Sequence, residues 1–141
     1  MLHNTLPNGT HDSFFDNDLE QLRLVLRRFA HEREWEPFHT PKNLAISLGI
    51  ESAEVMELFQ WLTPEESWSL PAPKRAALAD EIGDVLIYLV MLADKYQLDP
   101  LAAALAKVEK NGVKYPAAKV RGQARKYSEY SNGAKNGTHP P

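Results

Sequence analysis

The stretch Gly49–Trp61, GIESAEVMELFQW, decides the fold. Ala53, Val55, Met56, Leu58 and Phe59 give it the apolar content of a core helix, yet Glu51, Glu54 and Glu57 recur through it at intervals of three. Residues three apart on a helix are neighbours on one surface, so this helix lines up carboxylates beside its apolar positions. A second stretch, ADEIGDV (Ala79–Val85), repeats the arrangement: Glu81 and Asp84 keep the same spacing and sit beside Ile82 and Val85. The 26 residues between Glu54 and Glu81 let the chain turn and set the two acid pairs face to face on antiparallel helices.

Working outward, the pattern predicts an all-α four-helix bundle. The first helix starts near Asn17, with Glu20 completing a capping box, and carries Leu19, Leu22, Leu26 and Phe29 inward to an end between Glu34 and Pro37. The second begins at Thr40-Pro41, a cap followed by the residue best suited to the first helical position, and runs to Trp61. Thr63-Pro64-Glu65-Glu66 signals a short extra turn. The third helix spans Pro73 to Tyr96, with Leu78, Ile82, Val85, Leu86, Leu89 and Leu92 inward. Asp99-Pro100 starts a fourth that stops at Asn111-Gly112. Residues 1–15 read as a flexible arm, 16–126 as one helical domain, and 127–141, rich in Ser, Asn, Gly and Pro, as a disordered tail.

A chain of 141 residues with 43% hydrophobic content is long and apolar enough for one domain with a core. A net charge of −3 gives no basic field for nucleic acid. The basic residues at Lys114, Lys119, Arg121, Arg125 and Lys126 read as a solvated tail or one docked on an acidic neighbour. With no cysteine, the chain has no disulfide framework, thiolate zinc site or cysteine nucleophile, which fits a cytoplasmic setting. The polar start predicts no secretory signal, and the nine-residue apolar run Val85–Ala93 is too short to span a bilayer.

Four unpaired carboxylates near a bundle interior are costly and repel one another, and a hard divalent cation resolves both problems. Oxygen donors without neighbouring His or Cys favour Mg²⁺ or Mn²⁺ over zinc. The Glu-x-x-His of di-iron bundles is absent. A single Glu-x-x-Glu also marks ordinary solvated helix faces; it is the second pair on an apolar helix that points to metal. Asp80 and Glu57 stay open between surface and supporting roles. Trp35 and Trp61 are read either as plugs at helix ends or as planes for a base, and Trp68 as loop packing. His31 is read as a solvated helix residue.

The segments EREWEPFHTPKNL (residues 32–44), GIESAEVMELFQW, DEIGDVLIYLVMLA (80–93), KVEKN (107–111) and KYP (114–116) together resemble the MazG-type all-α nucleoside triphosphate pyrophosphohydrolases, most closely the small single-domain dCTP pyrophosphatase group. The resemblance covers residues 17 to 128. It implies Mg²⁺-dependent hydrolysis of a nucleoside triphosphate to monophosphate and pyrophosphate, on a dNTP such as dCTP or a modified form, in nucleotide-pool cleaning, with Mn²⁺ as a substitute metal. By position it implies metal ligands Glu51, Glu54, Glu81 and Asp84, and catalytic roles for Glu51, Glu54 and Lys107. It implies that Trp35 and Trp61 flank the base and that Tyr88 lies near the sugar. His39, Lys42 and Asn43 would line the pocket, and Lys107, Asn111 and Tyr115 would reach phosphates or sugar. It also implies self-assembly as a dimer or tetramer. Animal members carry histidine where this chain has Leu26. Two rivals stand beside this reading: a pyrophosphohydrolase acting on a phosphoribosyl or non-cytosine nucleotide, and a non-catalytic nucleotide- or metal-binding helical protein.

Overall fold

The computed structural model describes residues 19–125 and 128–129. The expected arm at 1–15 and all but two residues of the expected tail lie outside them. The described residues are helical with no strand: α1 (Leu19–His31), α2 (Pro41–Glu57), a single 3₁₀ turn (Glu66–Trp68), α3 (Ala72–Lys95), α4 (Pro100–Lys114) and α5 (Ala117–Val120). They fall into two compact units, residues 1–100 and 101–141.

In the first unit, local chemistry starts each helix as expected. Thr40 caps α2 in an extended conformation, its hydroxyl accepting the Asn43 amide at 3.2 Å, and Pro41 fills the first helical position. Thr63 and Glu66 form a reciprocal capping box: the Thr63 amide donates to Glu66 Oε2 at 2.8 Å, and the Glu66 amide donates to Thr63 Oγ1 at 3.2 Å.

The ends of α1 and α2 differ from expectation, while α3 ends within a residue of the expected Tyr96. After His31 the chain makes a Schellman closure: the Trp35 amide donates to Ala30 O at 3.0 Å and the Glu34 amide to His31 O at 3.0 Å. Glu34 takes the left-handed position at φ 53°. The same closure ends α3, with Leu98 donating to Ala93 at 3.0 Å, Gln97 to Asp94 at 3.1 Å, and Gln97 at φ 54°. α2 stops at Glu57 rather than Trp61, because i→i+3 bonds (Phe59 to Met56, Leu62 to Phe59) tighten the chain into turns.

α2 packs along α3, and α1 packs on α3. Among the described residues the buried hydrophobic side chains are Ala30, Leu44 and Val90, one each from α1, α2 and α3. An ion-pair clamp ties α1 to α3: Arg27 holds Asp94 through Nε and Nη2, both at 2.7 Å, and Arg23 Nη1 adds a bond at 3.1 Å. The two guanidinium groups hold the Asp94 carboxyl below its usual range against the opposing effect of burial. Several residues expected inward are instead largely exposed, among them Phe29 (44%), Ile82 (54%) and Leu89 (40%). A three-helix unit has too little interior to hide every apolar position of a 24-residue helix such as α3.

In the second unit α4 runs past Asn111-Gly112 to Lys114. Tyr115 still donates to Asn111 at 2.7 Å, and the stop comes from Pro116, which disfavours helical geometry in the residue before it. Leu105 (60%) and Val108 (66%) are exposed along α4.

Two stability predictions follow from the helix ends and the clamp. Glu34→Gly and Gln97→Gly should each stabilise the fold by about 0.5–1 kcal/mol, because glycine removes the Cβ penalty of left-handed backbone; urea denaturation measures it. Asp94→Asn should cost about 1–2 kcal/mol at pH 7. Since the folded carboxyl titrates below its unfolded value of about 3.9, the clamp's contribution is full above that pH and is lost below it. The gap between variant and wild type should therefore close on acidification.

Candidate metal centre

Glu51 lies in the third quarter of α2, and Glu81 and Asp84 lie near the middle of α3. One carboxylate oxygen from each of the three falls within 4.8 Å of the others. The antiparallel register explains this: Glu54 comes within hydrogen-bonding reach of Glu81, while Glu51 faces Asp84, so each step back along α2 matches a step forward along α3. Glu51 and Glu81 are half-buried.

The cluster carries the electrostatic signature of crowded acids. Burial first, then the neighbouring charges of Glu54 and Asp84, push the Glu51 carboxyl up from its usual range. Burial, Glu54, Glu51 and Asp84 push Glu81 the same way, and its hydrogen bond with Glu54 adds to the effect. No cationic side chain contributes to either shift. An oxygen-only donor set, converging and without a cation of its own, suits a hard divalent ion.

The other sequence-derived candidates are spread over the chain. Tyr88 follows Asp84 by one helical turn and is half-buried. Lys42 and Asn43 sit in the first turn of α2, where Asn43 Nδ2 donates to Phe38 O at 2.9 Å. Trp35 packs edge-on against Phe29, with ring centroids 5.8 Å apart, and against His39 at 5.9 Å. Trp61, 87% exposed, lies beyond the other end of α2. The 17 residues of α2, about 25 Å of helix axis, lie between the two tryptophans in the chain. Lys107, Asn111 and Tyr115 belong to the second unit, where Lys107 and Asn111 share a face of α4.

The sequence profile of the MazG-like family matches residues 46–130, a span that contains all four acids. The human protein named dCTP pyrophosphatase 1 is 46% identical over 120 residues, covering 82% of this chain and 69% of its own length. The bovine protein of that name is 44% identical over 120 residues, 82% of this chain and 70% of its own. A crystal structure of a pyrophosphatase from Archaeoglobus fulgidus superposes with a TM-score of 0.66 at 41% identity, over 76% of this chain and 95% of that one. An all-helical fold with this acid pairing therefore defines a nucleoside triphosphate pyrophosphohydrolase, a hydrolase of phosphoric anhydride bonds. The chain belongs to the MazG-like family.

The raised carboxyls set the sign of a pH test. A group whose folded pKa lies above its unfolded value destabilises the fold once ionised, and the penalty vanishes below the unfolded value, about 4.3 for glutamate. In chelator, Glu81→Gln should melt above wild type at pH 7.5, and the difference should shrink towards pH 4. Adding Mg²⁺ should raise the melting temperature of wild type more than that of the variant.

Proposed function

We propose that the chain cleaves a deoxynucleoside triphosphate such as dCTP, or a modified form of it, between the α and β phosphates. The products are the monophosphate and pyrophosphate, and the role is to clear unwanted nucleotides from the pool. The observation that carries this reading is the convergence of Glu51, Glu81 and Asp84 within 4.8 Å, in a chain 46% identical to a protein named for dCTP.

In the proposed site Glu51, Glu54, Glu81 and Asp84 hold Mg²⁺, with Mn²⁺ as a substitute. A cation held by these residues would neutralise the phosphates, which the bare cluster repels, and would supply Lewis-acid polarisation of the attacked phosphorus. Glu51 or Glu54 accepts the proton of the attacking water; the raised pKa of Glu51 suits that task. The family resemblance gives Lys107 the charge developing on the leaving phosphates, and Asn111 and Tyr115 further phosphate or sugar contacts. Tyr88, one turn from Asp84, is assigned to the sugar. His39 and Lys42 remain assigned to the substrate pocket.

The tryptophans and the exposed apolar residues support self-assembly. With Trp35 and Trp61 at opposite ends of α2, a base flanked by both takes them from two different copies. Leu105 and Val108 on α4, and Ile82 on α3, are apolar surface of the kind a homo-oligomer covers. No described helix is long and apolar enough to cross a membrane.

Incubation with each common NTP and dNTP in Mg²⁺ tests the reaction. Monophosphate and pyrophosphate should appear in equal amounts from one or a few dNTPs, and Glu54→Gln should lower turnover at least about 100-fold, the upper end of what perturbing a metal's surroundings costs. Orthophosphate release would mean cleavage of a different bond. No product from any nucleotide, with Mn²⁺ also tried, would favour the non-catalytic rival. For assembly, Leu105→Asp with Val108→Asp should reduce the mass measured by light scattering towards that of one chain.

A further inference from the structure

Residues 32–40 join α1 to α2 and carry Trp35, whose indole is 44% exposed and packs edge-on against Phe29 and His39. Hydrogen bonds hold both flanks of this segment. The Trp35 amide donates to Ala30 O at one end, and Asn43 Nδ2 donates to Phe38 O at the other. Arg33 steadies the ring behind the indole: its guanidinium lies 3.6 Å over Phe29, and Nη1 donates to Phe29 O at 3.1 Å. The turn between α1 and Trp35 is the weak point, because Glu34 holds left-handed backbone at φ 53°, a position that suits glycine better.

A side-chain bond crosses that turn. His31, the last residue of α1, places Nδ1 2.8 Å from Glu36 Oε1. An ionised carboxylate only accepts, so Nδ1 donates. Its own backbone amide, then His31, holds the Glu36 carboxyl below the usual range. The sequence marks His31 as a solvated helix residue, and its side chain is indeed 84% exposed, but it is paired. Arg27 and Arg28 of α1 and Asp94 and Lys95 of α3 border the same hollow as His31, Glu36 and His39. Asp94 is committed to Arg23 and Arg27, and Glu32 lies 3.9 Å from Arg28 and 3.6 Å from Arg33. Lys95 contributes less to the Glu36 shift than His31 does. Glu36 directly follows Trp35, so tying its carboxylate back to α1 fixes the peptide that aims the indole.

We propose that His31 is a positioning residue for the nucleobase: its bond to Glu36 holds the turn that presents Trp35. The inference rests on Trp35 being a plane for the base, as in the proposed function. His31 itself touches no substrate and acts through Glu36 and the backbone between them. Histidine changes charge near about pH 6.5, and a charge-assisted hydrogen bond is about twice as strong as a neutral one. The hold on Trp35 is therefore firmer on the acid side of that pH, where the imidazole is a cation, and slackens on the alkaline side.

The test uses the full chain, with and without nucleotide. On the triphosphate cleaved best in Mg²⁺, His31→Ala and Glu36→Ala should each raise KM about two- to fivefold, the scale an exposed pair supports, with kcat within about twofold. The double variant should be no worse than either single one, because both remove the same bond. His31→Lys, a cation at every working pH, should restore KM and erase its difference between about pH 6 and pH 8. Without nucleotide, the Trp35 indole N–H signal in ¹H–¹⁵N spectra, identified with Trp35→Phe, should move in both alanine variants and return in His31→Lys. His39 also titrates beside the indole, its imidazole held towards the neutral form by burial and then by Lys95. The effect of pH is therefore read as the difference between wild type and His31→Ala. An unmoved indole signal, additive losses in the double variant, or a KM unchanged while only the melting temperature falls would overturn the proposal. A moved indole signal with no nucleotide turned over would support the hold on Trp35 and count against the proposed reaction instead.

Discussion

Like-charge repulsion across the α2–α3 interface is the constraint on which the site depends. Glu54 against Glu81 and Glu51 against Asp84 place acid opposite acid, and the shifts of Glu51 and Glu81 show that the fold holds them there against their preference. The helices are fixed by unrelated features: Leu44 of α2 and Val90 of α3 are buried, and Thr40 and Pro41 set where α2 begins. Apolar packing thus forces a polar arrangement that is unfavourable alone. A divalent cation turns that arrangement into a binding site, and the same pairing is what links the chain to its pyrophosphohydrolase relatives.

The long α3 divides the chain's electrostatics. Its middle offers Glu81 and Asp84 to α2; its last turns offer Asp94 to the arginines of α1. The two regions do different things with the same kind of residue. Asp94 is satisfied by Arg23 and Arg27 and stabilises the fold, whereas the cluster has no cationic partner and is available for ligand chemistry. Similarly, the few buried side chains and the exposed Ile82, Leu105 and Val108 describe a chain whose apolar content exceeds what it covers by itself.

Much of this was legible in the sequence. The acid pairs, the Thr40-Pro41 start and the all-helical class follow from spacing and capping chemistry that act within a few residues. The end of α1 was not legible, because the left-handed closing position is held by Glu34, where a glycine signal is normally read, whereas α3, closed by Gln97, ends within a residue of the expected Tyr96. Pro116 outweighed Asn111-Gly112 in ending α4, since a helical glycine is tolerated while a following proline is a steric block. Inward-facing positions were overestimated on Phe29, Ile82, Leu86 and Leu89, because periodicity marks a face for burial without saying whether this chain or another copy covers it. The separation of Trp35 from Trp61 follows from the length of α2 alone, yet emerges only once both helix ends are placed.

The central claim is that the carboxylates of α2 and α3 act together on one cation-bound substrate. A crystal grown with Mn²⁺ and a non-hydrolysable triphosphate, measured at the manganese edge, tests it most directly. The account predicts an anomalous peak bonded to oxygens of Glu51, Glu81 and Asp84, with the phosphates on the same ion. Phosphates bound away from these acids, or manganese elsewhere with the carboxylates left apart, would contradict it.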